Sequence, residues 1–288
     1  MKRIAVLGAG AMGSRIAQNL LKAEYSVVVY NRTADKVEPL VNQGATYAAT
    51  PIEAAQQADV VMSMLTNDEV SRQVWLDPKT GALQGLRKEA IAIESSTLTV
   101  EWTQTLAAAI AAAGADFLAV LVVGSRPQAE AGKLIYLAGG KAEVLAKVQP
   151  VLQSAGAAVV HHVGTVGQGM IMKLAVNALF GIQVAALAEL IAMLGKYGIA
   201  PDKAMEYFGG LPVTSLAAKG AGSLMVASHH APMFPIELVE KDFRYAIQAA
   251  QAADAAIPAS TSIHSIYQDA IVKGYGDRNI TGVIQLFT

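Results

Sequence analysis

The fold of this chain is set by one stretch near its amino terminus, Ile4-Ala5-Val6-Leu7-Gly8-Ala9-Gly10-Ala11-Met12-Gly13. Four apolar residues, typical of a buried strand, run directly into the pattern G-x-G-x-x-G, and a helical pattern follows. In such a turn the first glycine permits the bend, the second lets the backbone approach a pyrophosphate, and the third allows helix and strand to pack closely. The stretch therefore predicts a strand–turn–helix unit that binds a dinucleotide, with its phosphates at the amino terminus of the helix.

Outward from this stretch, the first half of the chain alternates strand and helix patterns. Strands are predicted over 4–7, 26–30, 59–65, 90–94, 117–123, 134–138 and 157–160, with helices over 11–23, 51–57, 68–75, 99–113 and 141–153. This alternation predicts an α/β fold with a Rossmann-type doubly wound parallel sheet that is covered on both faces.

After Gly169 the strand patterns vanish and helical ones continue to the end of the chain. Helices are predicted over 170–194, 201–208, 236–252 and 258–272. We therefore expect a dinucleotide-binding Rossmann domain over residues 1–164, joined by a long interdomain helix to an all-α C-terminal domain over 165–288, with the active site in the cleft between them.

Composition excludes several classes of protein. Hydrophobic residues make up 53% of the 288 residues and charged residues only 16%, which is incompatible with a disordered tail. A net charge of −1 offers no attraction to nucleic acid or to an anionic membrane. The chain has no cysteine, and neither His161-His162 nor His229-His230 has a chelating geometry, so we expect no metal site.

The longest uncharged apolar stretch lies between Lys173 and Glu189. Asn177 and Gln183 interrupt it, so we expect no membrane span. A cytoplasmic location is the corresponding expectation, which the lack of cysteine also fits.

The residues at the end of the second predicted strand favour NADP(H) over NAD(H). An NAD enzyme usually carries an acidic residue there, which binds the ribose 2′-hydroxyl and would repel a 2′-phosphate. This chain instead reads Tyr30-Asn31-Arg32-Thr33. Arg32 can stack on adenine and pair with the phosphate, while Asn31 and Thr33 supply neutral donors. The alternative is that Arg32 is a solvated loop residue.

Lys173 and Asn177 are the candidate catalytic residues. They stand four residues apart in a helical pattern and therefore project from one face. An ammonium in so apolar a segment either extends to solvent, pairs with an acid or serves chemistry. Desolvation would lower the pKa of Lys173 toward neutrality, which suits a general acid or base.

The pattern Gly164-x-x-Gly167-x-Gly169-x-x-x-Lys173-x-x-x-Asn177 resembles the catalytic signature of the β-hydroxyacid dehydrogenases. This family includes 3-hydroxyisobutyrate dehydrogenases, tartronate semialdehyde reductases and glyoxylate/succinic semialdehyde reductases. Ser95-Ser96-Thr97 and Lys241-Asp242 resemble two further family segments. The spacing over 124–132 is most similar to the glyoxylate/succinic semialdehyde reductase branch, which uses NADPH.

The resemblance implies a role for each matching residue. Lys173 would protonate the substrate oxygen as hydride arrives, and Asn177 would orient Lys173 and the substrate. Leu65, Thr66 and Thr97 would contact the nicotinamide half of the cofactor. Lys241 would lie near the cofactor with Asp242 supporting it. The implied cofactor-binding set is Gly8, Ala9, Gly10, Ala11, Met12, Gly13, Asn31, Arg32, Thr33, Leu65, Thr66, Thr97 and Lys241, and the implied substrate set is Val123, Gly124, Ser125, Lys173 and Asn177.

The chain departs from the family pattern at the substrate loop. Where the family places proline and serine, this chain has Leu121 and Val123. Loss of a hydroxyl from an anion site costs roughly 1–3 kcal/mol, although backbone amides near Gly124 and Ser125 can compensate in part. The function implied first is an NADPH-dependent reductase of a small aldehyde or keto substrate of the semialdehyde type.

Two alternatives stay open. An apolar pocket would suit uncharged ketones or imines, as in imine reductases, although those usually carry another residue at the lysine position. A non-catalytic nucleotide-binding module is the other alternative, and such members typically lose the lysine. The apolar, alanine-rich segment 170–194 would exceed what one small helical domain buries, so we also expect a homodimer or homotetramer.

Overall fold

The computed structural model describes residues 2–288 as two compact units, one extending through Lys173 and one running from Leu174 to Thr288. The strands in the described residues are β1 (Arg3–Leu7), β2 (Ser26–Tyr30), β3 (Thr46–Tyr47), β4 (Val60–Ser63), β5 (Ile91–Glu94), β6 (Asp116–Val123), β7 (Leu134–Gly140) and β8 (Ala157–Gly164). The helices of the first unit are α1 (Gly13–Lys22), α2 (Glu38–Val41), α3 (Pro51–Gln56), α4 (Asp68–Leu76), α5 (Val100–Ala112), α6 (Arg126–Glu130) and α7 (Ala142–Ser154). Helix α8 (Val166–Lys196) continues into the second unit, and α9 (Pro201–Gly210), α10 (Leu216–Val226), α11 (Ile236–Ala252) and α12 (Pro258–Val272) follow.

All eight strands form one sheet in the order β3-β2-β1-β4-β5-β6-β7-β8. The chain moves from β1 to one side for β2 and β3 and then returns to the other side of β1 for β4. The strand order therefore reverses at β1 and β4, and ligands of open α/β sheets bind beyond the carboxyl ends of the strands at such a point. The expected Rossmann-type fold with a helical C-terminal part is confirmed.

One neighbouring pair of strands is antiparallel, which the strand–helix alternation does not reveal. β7 pairs with β6 in the register Leu118↔Gly140 to Val123↔Ile135, whereas the other neighbouring pairs are parallel. The segment between β6 and β7 contains only the short α6. A parallel return requires a crossover of about a dozen residues or more, so this connection favours the antiparallel direction.

The core of the first unit fills both faces of the sheet. On one face, Ile4 and Val6 of β1 are fully buried together with Ile16, Ala17 and Leu20 of α1, and on the other face Ala5 and Leu7 of β1 are fully buried as well. This spacing places three apolar side chains on one helix face while Arg15 remains partly exposed. The buried face fixes the direction in which α1 leaves the glycine turn.

The second unit has a core of its own, built around α8, α11 and α12. Phe243 of α11 stacks on Tyr267 of α12 with ring centroids 5.6 Å apart, and the Tyr267 hydroxyl donates to the Gly181 carbonyl at 2.9 Å. Complete burial raises the pKa of Tyr267, so the hydroxyl stays protonated as a donor. Val184 and Ala188 of α8 complete this core.

Four elements do not follow from the sequence pattern: β3, the short helices α2 and α6, and α10. β3 is two residues long, too short to give a period. Helix α10 contains Gly220 and Gly222, which lower helix propensity. A Cβ on Gly222 would lie 2.2 Å from the Met205 sulfur, so close packing against α9 accounts for that glycine. Ser215 caps the helix by accepting from the Ala218 amide.

Among residues 2–288, one helix has the length and composition to cross a membrane: α8, with a mean hydropathy of 1.9 over its most apolar 18 residues. Core helices of soluble proteins pass the same test. Helix α8 begins four residues before and ends two residues after the helix predicted over 170–194. The expectation of no membrane span stays a prediction.

Candidate active site

Gly8 and Gly13 are required by the packing of the turn between β1 and α1. Gly8 has a φ of +101°, which an L side chain rarely adopts, and its amide donates to the Tyr30 carbonyl at 2.8 Å. A Cβ on Gly8 would stand 2.4 Å from the Met64 carbonyl oxygen, and a Cβ on Gly13 only 1.9 Å from the Gly8 carbonyl oxygen. Side chains are therefore excluded by the protein's own backbone.

Gly10 differs, because apart from its two chain neighbours no described residue lies within 4 Å of the position where its Cβ would stand. Helix α1 begins at Gly13 without a side-chain cap, so its amino terminus keeps the partial positive charge of unpaired amides. Open space beside a bare backbone and a positive helix end are what a pyrophosphate requires. The turn fits a dinucleotide.

Asn31 ties the loop after β2 to the glycine turn. Its Oδ1 accepts from the Ala9 amide at 3.1 Å, and its Nδ2 donates to the Thr33 carbonyl at 2.9 Å. An amide nitrogen carries two hydrogens, and this contact uses one of them. Asn31 thus fixes the loop shape in addition to any contact with a phosphate.

Arg32 and Thr33 lie exposed at the same loop. Burial raises the pKa of the Tyr30 phenol, and the positive charge of Arg32 opposes that rise, which places the guanidinium in the electrostatic range of Tyr30. A cation beside the end of β2 is in the position from which it can reach a ribose phosphate.

The loops after β4 and β5 meet beside the glycine turn. The Leu65 amide donates to the Ser96 hydroxyl at 2.6 Å, and the Cβ position of Gly8 is 3.0 Å from the Leu65 side chain. Thr97 is partly exposed although Ser96 and Leu98 on either side are buried. The structure thus places Leu65 next to Gly8 and links Leu65 through Ser96 to the loop that contains Thr97.

The first turns of α8 are held against the sheet. A Cβ on Gly169 would lie 2.8 Å from the Gly139 amide nitrogen of β7, so helix and strand touch through bare backbone. The Met170 sulfur accepts from the Leu98 amide at 3.4 Å, which ties the same turn to the loop after β5. Lys173 follows Gly169 by four residues and is partly buried. Its helix start is therefore fixed by packing.

In the second unit, Asp242 joins Asn177 and Lys241. The Asn177 Nδ2 donates to Asp242 Oδ2 at 2.5 Å, and the Lys241 ammonium lies 3.1 Å from Asp242 Oδ1. Lys241 also stands 5.0 Å from the centroid of the Tyr245 ring. Lys241 is 7% exposed and Asp242 3% exposed. The adjacent Lys-Asp pair therefore positions the candidate catalytic Asn177, a link that residues 65 positions apart do not reveal in sequence.

Known proteins resemble this chain over its whole length. Residues 3–164 match the NAD binding domain of 6-phosphogluconate dehydrogenase, and residues 167–287 match the NAD-binding domain of NADP-dependent 3-hydroxyisobutyrate dehydrogenase. The chain belongs to the β-hydroxyacid dehydrogenase family. Several of its relatives are reductases or dehydrogenases, and the chain is an oxidoreductase that uses a nicotinamide dinucleotide.

Three members of the β-hydroxyacid dehydrogenase family illustrate the range. Glyoxylate/succinic semialdehyde reductase 2 (chloroplastic) of Arabidopsis thaliana is 33% identical over 98% of this chain and 78% of its own length. An NAD-dependent L-serine dehydrogenase of Pseudomonas aeruginosa is 30% identical over 100% of this chain and 98% of its own. The crystal structure of 3-hydroxyisobutyrate dehydrogenase from Salmonella typhimurium superimposes with a TM-score of 0.91 at 25% identity, covering all of both chains.

The residues that the resemblance implies for the substrate begin inside β6, which contains Leu121 and Val123, and continue into the segment after it, where one backbone donor is already occupied. The Ser125 amide donates to the Gln128 side-chain oxygen at 3.0 Å. Val123 is half-buried and apolar. The expectation that the amides of Gly124 and Ser125 compensate for the missing hydroxyl is therefore weakened at Ser125, because Gln128 already uses that amide.

Arg126, the next residue, was not among the candidates. Its Nε is buried and has no hydrogen-bond partner within residues 2–288. A guanidinium is charged at all physiological pH values, and a buried donor without an acceptor is costly. The signal in the sequence was a cation directly after the substrate-loop residues Gly124 and Ser125.

Other polar features of the described residues form no rival site. No group of three or more His, Asp or Glu residues among positions 2–288 could hold a metal ion. An open depression of about 910 Å³ lies at the amino ends of β1, β4, β5 and β6, away from the glycine turn. Two of its three lysines are engaged, Lys147 with Asp116 at 3.3 Å and Lys2 with the Lys147 carbonyl at 2.8 Å.

Proposed function

We propose that this chain is an NADPH-dependent reductase that converts a small aldehyde or keto acid of the semialdehyde type into the hydroxy compound. One observation carries the proposal: Lys173 and Asn177 stand one turn apart on α8, where packing fixes the helix start and Asp242 holds Asn177. Burial and fixed partners of this kind are what a proton-transfer site requires. The predicted boundary at residue 164 between the two domains is part of this proposal.

When bound, the nicotinamide cofactor supplies the hydride that reduces the carbonyl carbon. Lys173 would hold a proton on Nζ and donate it to the carbonyl oxygen, which stays on the carbon and becomes the hydroxyl of the product. Asn177, with its Nδ2 on Asp242, would orient Lys173 and the substrate oxygen. Lys241 would support the cofactor, and the charge of Asp242 compensates its ammonium.

Preference for NADPH rests on the loop after β2. No acidic residue occupies Tyr30-Asn31-Arg32-Thr33, so nothing in it repels a 2′-phosphate. Arg32 is exposed and can form a bidentate pair with that phosphate, while Asn31 holds the loop on the glycine turn.

A carboxylate on the substrate is favoured by Arg126. The buried, unpartnered Nε of this residue directly follows the proposed substrate residue Ser125. A substrate carboxylate would supply the missing acceptor and would replace the anion binding that the family's serine provides. The apolar Val123 favours the other candidate, an uncharged ketone or imine, so the charge of the substrate is the question to test.

The first experiment follows NADPH absorbance with a four-carbon semialdehyde that carries a carboxylate, its uncharged amide, and a cyclic imine. We expect the acid to be reduced best. Replacing Arg126 by Met should raise the KM for the acid about tenfold or more and change that for the amide little. Arg87→Met is the matched control, because Arg87 pairs with Asp59 beside the amino end of β4, and it should leave both KM values unchanged. Faster turnover of the amide or imine by the parent chain would establish the uncharged class instead.

The second experiment tests the lysine. Lys173→Ala should lower kcat by a factor of about 10² to 10⁴ and leave the Kd for NADPH within a few fold. Lys196→Ala, on the exposed end of the same helix, should keep full activity. Unchanged turnover in Lys173→Ala would contradict the general-acid role, and an inactive parent that still binds NADPH would point to the non-catalytic module.

The proposal includes a homodimer or homotetramer. Helix α8 exposes apolar side chains, with Leu179 59% and Met193 48% accessible. Exposed residues of this kind on a long helix are what subunit contacts cover. Light scattering on the eluting protein measures the mass, and a single chain of 30.0 kDa would contradict the expectation.

A further inference from the structure

Glu94, the last residue of β5, is a completely buried carboxylate held by neutral donors. Ser71 donates to its Oε2 at 2.8 Å and the Trp75 indole N–H to the same oxygen at 3.1 Å. The Ser96 amide donates to Oε1 at 2.9 Å, and the Ser96 hydroxyl donates to it as well. Burial raises the pKa of Glu94, and these donors act against that rise. An apolar residue at this strand end would avoid the desolvation cost.

Ser96 connects Glu94 to the loop after β4 through two hydrogen bonds. Its hydroxyl donates to the Glu94 carboxylate and accepts from the Leu65 amide at 2.6 Å. A hydroxyl that donates on one side and accepts on the other fixes the distance between the two groups that it joins. Glu94 therefore determines where the backbone after β4 stands relative to the backbone after β5.

Two more contacts hold the loop after β5 at its far side. Asp68 accepts from the Thr99 amide at 2.9 Å and from the Thr99 hydroxyl at 2.5 Å. The Leu98 amide donates to the Met170 sulfur on α8. Thr97 lies between the tied residues Ser96 and Leu98 and is the partly exposed side chain of this segment.

We propose that Glu94 and Ser96 are positioning residues that hold Leu65, Thr66 and Thr97 in place for the nicotinamide end of the cofactor. They act through the loops and touch neither cofactor nor substrate. The inference rests on the proposed function, because it presupposes that these loops receive a nicotinamide. It explains why a buried carboxyl group is placed at this strand end instead of an apolar side chain.

The experiment compares binding of NADPH with binding of 2′-phospho-ADP-ribose, which lacks the nicotinamide. Glu94→Gln and Ser96→Ala should each weaken NADPH about tenfold and leave the fragment within about twofold, because a lost buried hydrogen bond corresponds to roughly one decade of affinity. The double variant should lose no more than either single one, since both changes break the same link. Calorimetric titration measures all of these values.

Controls separate positioning from a general loss of stability. Thr50→Ala removes the cap of α3 in the same unit, so it should lower Tm and leave both affinities unchanged. Ser96→Thr keeps a hydroxyl and should restore NADPH binding, which a purely structural role does not require. If Glu94→Gln does not fold, the comparison of Ser96→Ala with Ser96→Thr tests the inference by itself.

Equal loss of NADPH and fragment, or unchanged NADPH affinity in a folded Ser96→Ala, would overturn the inference. A parent chain that binds NADPH but reduces no carbonyl would contradict the proposed reductase function. The comparison of NADPH with 2′-phospho-ADP-ribose would still test the positioning role. Equal affinity of the parent chain for NADPH and for the fragment would mean that the nicotinamide makes no contribution to binding, and it would contradict the inference.

Discussion

The turns at Gly8–Gly13 and Gly164–Gly169 look alike in sequence, because each has three glycines in six residues. Their surroundings in the structure differ. Beside Gly10 in the first turn, the described residues leave open space for a ligand. In the second turn, Gly169 meets the backbone of Gly139, and the space beside Gly167 is taken by the Gln104 side chain. The first turn keeps room for an anion, and the second closes a helix onto a sheet.

The difference shows what a glycine pattern means physically. A glycine in such a pattern indicates that a side chain would not fit at that position. Only the tertiary structure shows whether the space is filled by the protein itself or is left for a ligand. At Gly169 the excluding atoms are backbone, so the start of α8 cannot shift without unpacking β7. We propose that this rigidity positions Lys173 and that the open space at Gly10 receives the cofactor.

The largest expected effect tests the closed turn. Gly169→Ala should lower the free energy of unfolding by about 3 kcal/mol, because its Cβ would stand 2.8 Å from a backbone nitrogen that cannot rotate away. Gly167→Ala is the matched control, since its nearest neighbour is the flexible end of Gln104, and it should cost about 1 kcal/mol or less. Urea denaturation measures both, and equal costs would break the comparison.

The open turn should respond in binding and not in stability. Gly10→Ala should keep the Tm of the parent chain and weaken both NADPH and NADH about tenfold or more, because the methyl group occupies the space of the pyrophosphate. Gly220→Ala, at another open position on α10, should leave both affinities unchanged. A drop in Tm with intact affinity would assign Gly10 to packing, like Gly169.

Arg32 sharpens what the open turn binds. Arg32→Ala should narrow the preference for NADPH over NADH about tenfold, since one charge-assisted pair with the 2′-phosphate is lost. Lys36→Ala, an exposed cation four residues on, should leave the preference as it is. Equal affinities for the two cofactors in the parent chain would contradict the role given to the loop after β2.

The smallest expected effect is the dependence of stability on pH. Glu94 holds the loops beside the open turn, whereas the closed turn contains no ionisable side chain. Burial raises the pKa of Glu94, so its contribution to stability is fullest below the unfolded pKa and is lost as pH rises through the folded pKa. The difference in unfolding free energy, parent minus Glu94→Gln, should therefore fall as pH increases from about 4 toward 8. Parallel curves for the two proteins would contradict this.

Local features were predictable because short-range backbone geometry sets them. The strand–turn–helix around Gly8–Gly13, the loop Asn31-Arg32-Thr33 after β2, and the four-residue spacing of Lys173 and Asn177 each depend on residues close in the chain. Helix α10 was not predictable in the same way, since its glycines argue against a helix until their contact with α9 is seen. The antiparallel β7 depends on the length of a connection and not on its pattern.

The sequence by itself determined the fold class, the family, the glycine turn and the candidate lysine. Only the tertiary structure decided that Asp242 accepts a hydrogen bond from Asn177 and that Ser96 accepts one from the Leu65 amide. It also decided that the Arg126 Nε is buried without a partner and which glycine turn is open. The reason is that hydrophobic period and turn chemistry act over a few residues, whereas hydrogen bonds between side chains far apart in the chain exist only after packing has brought their elements together.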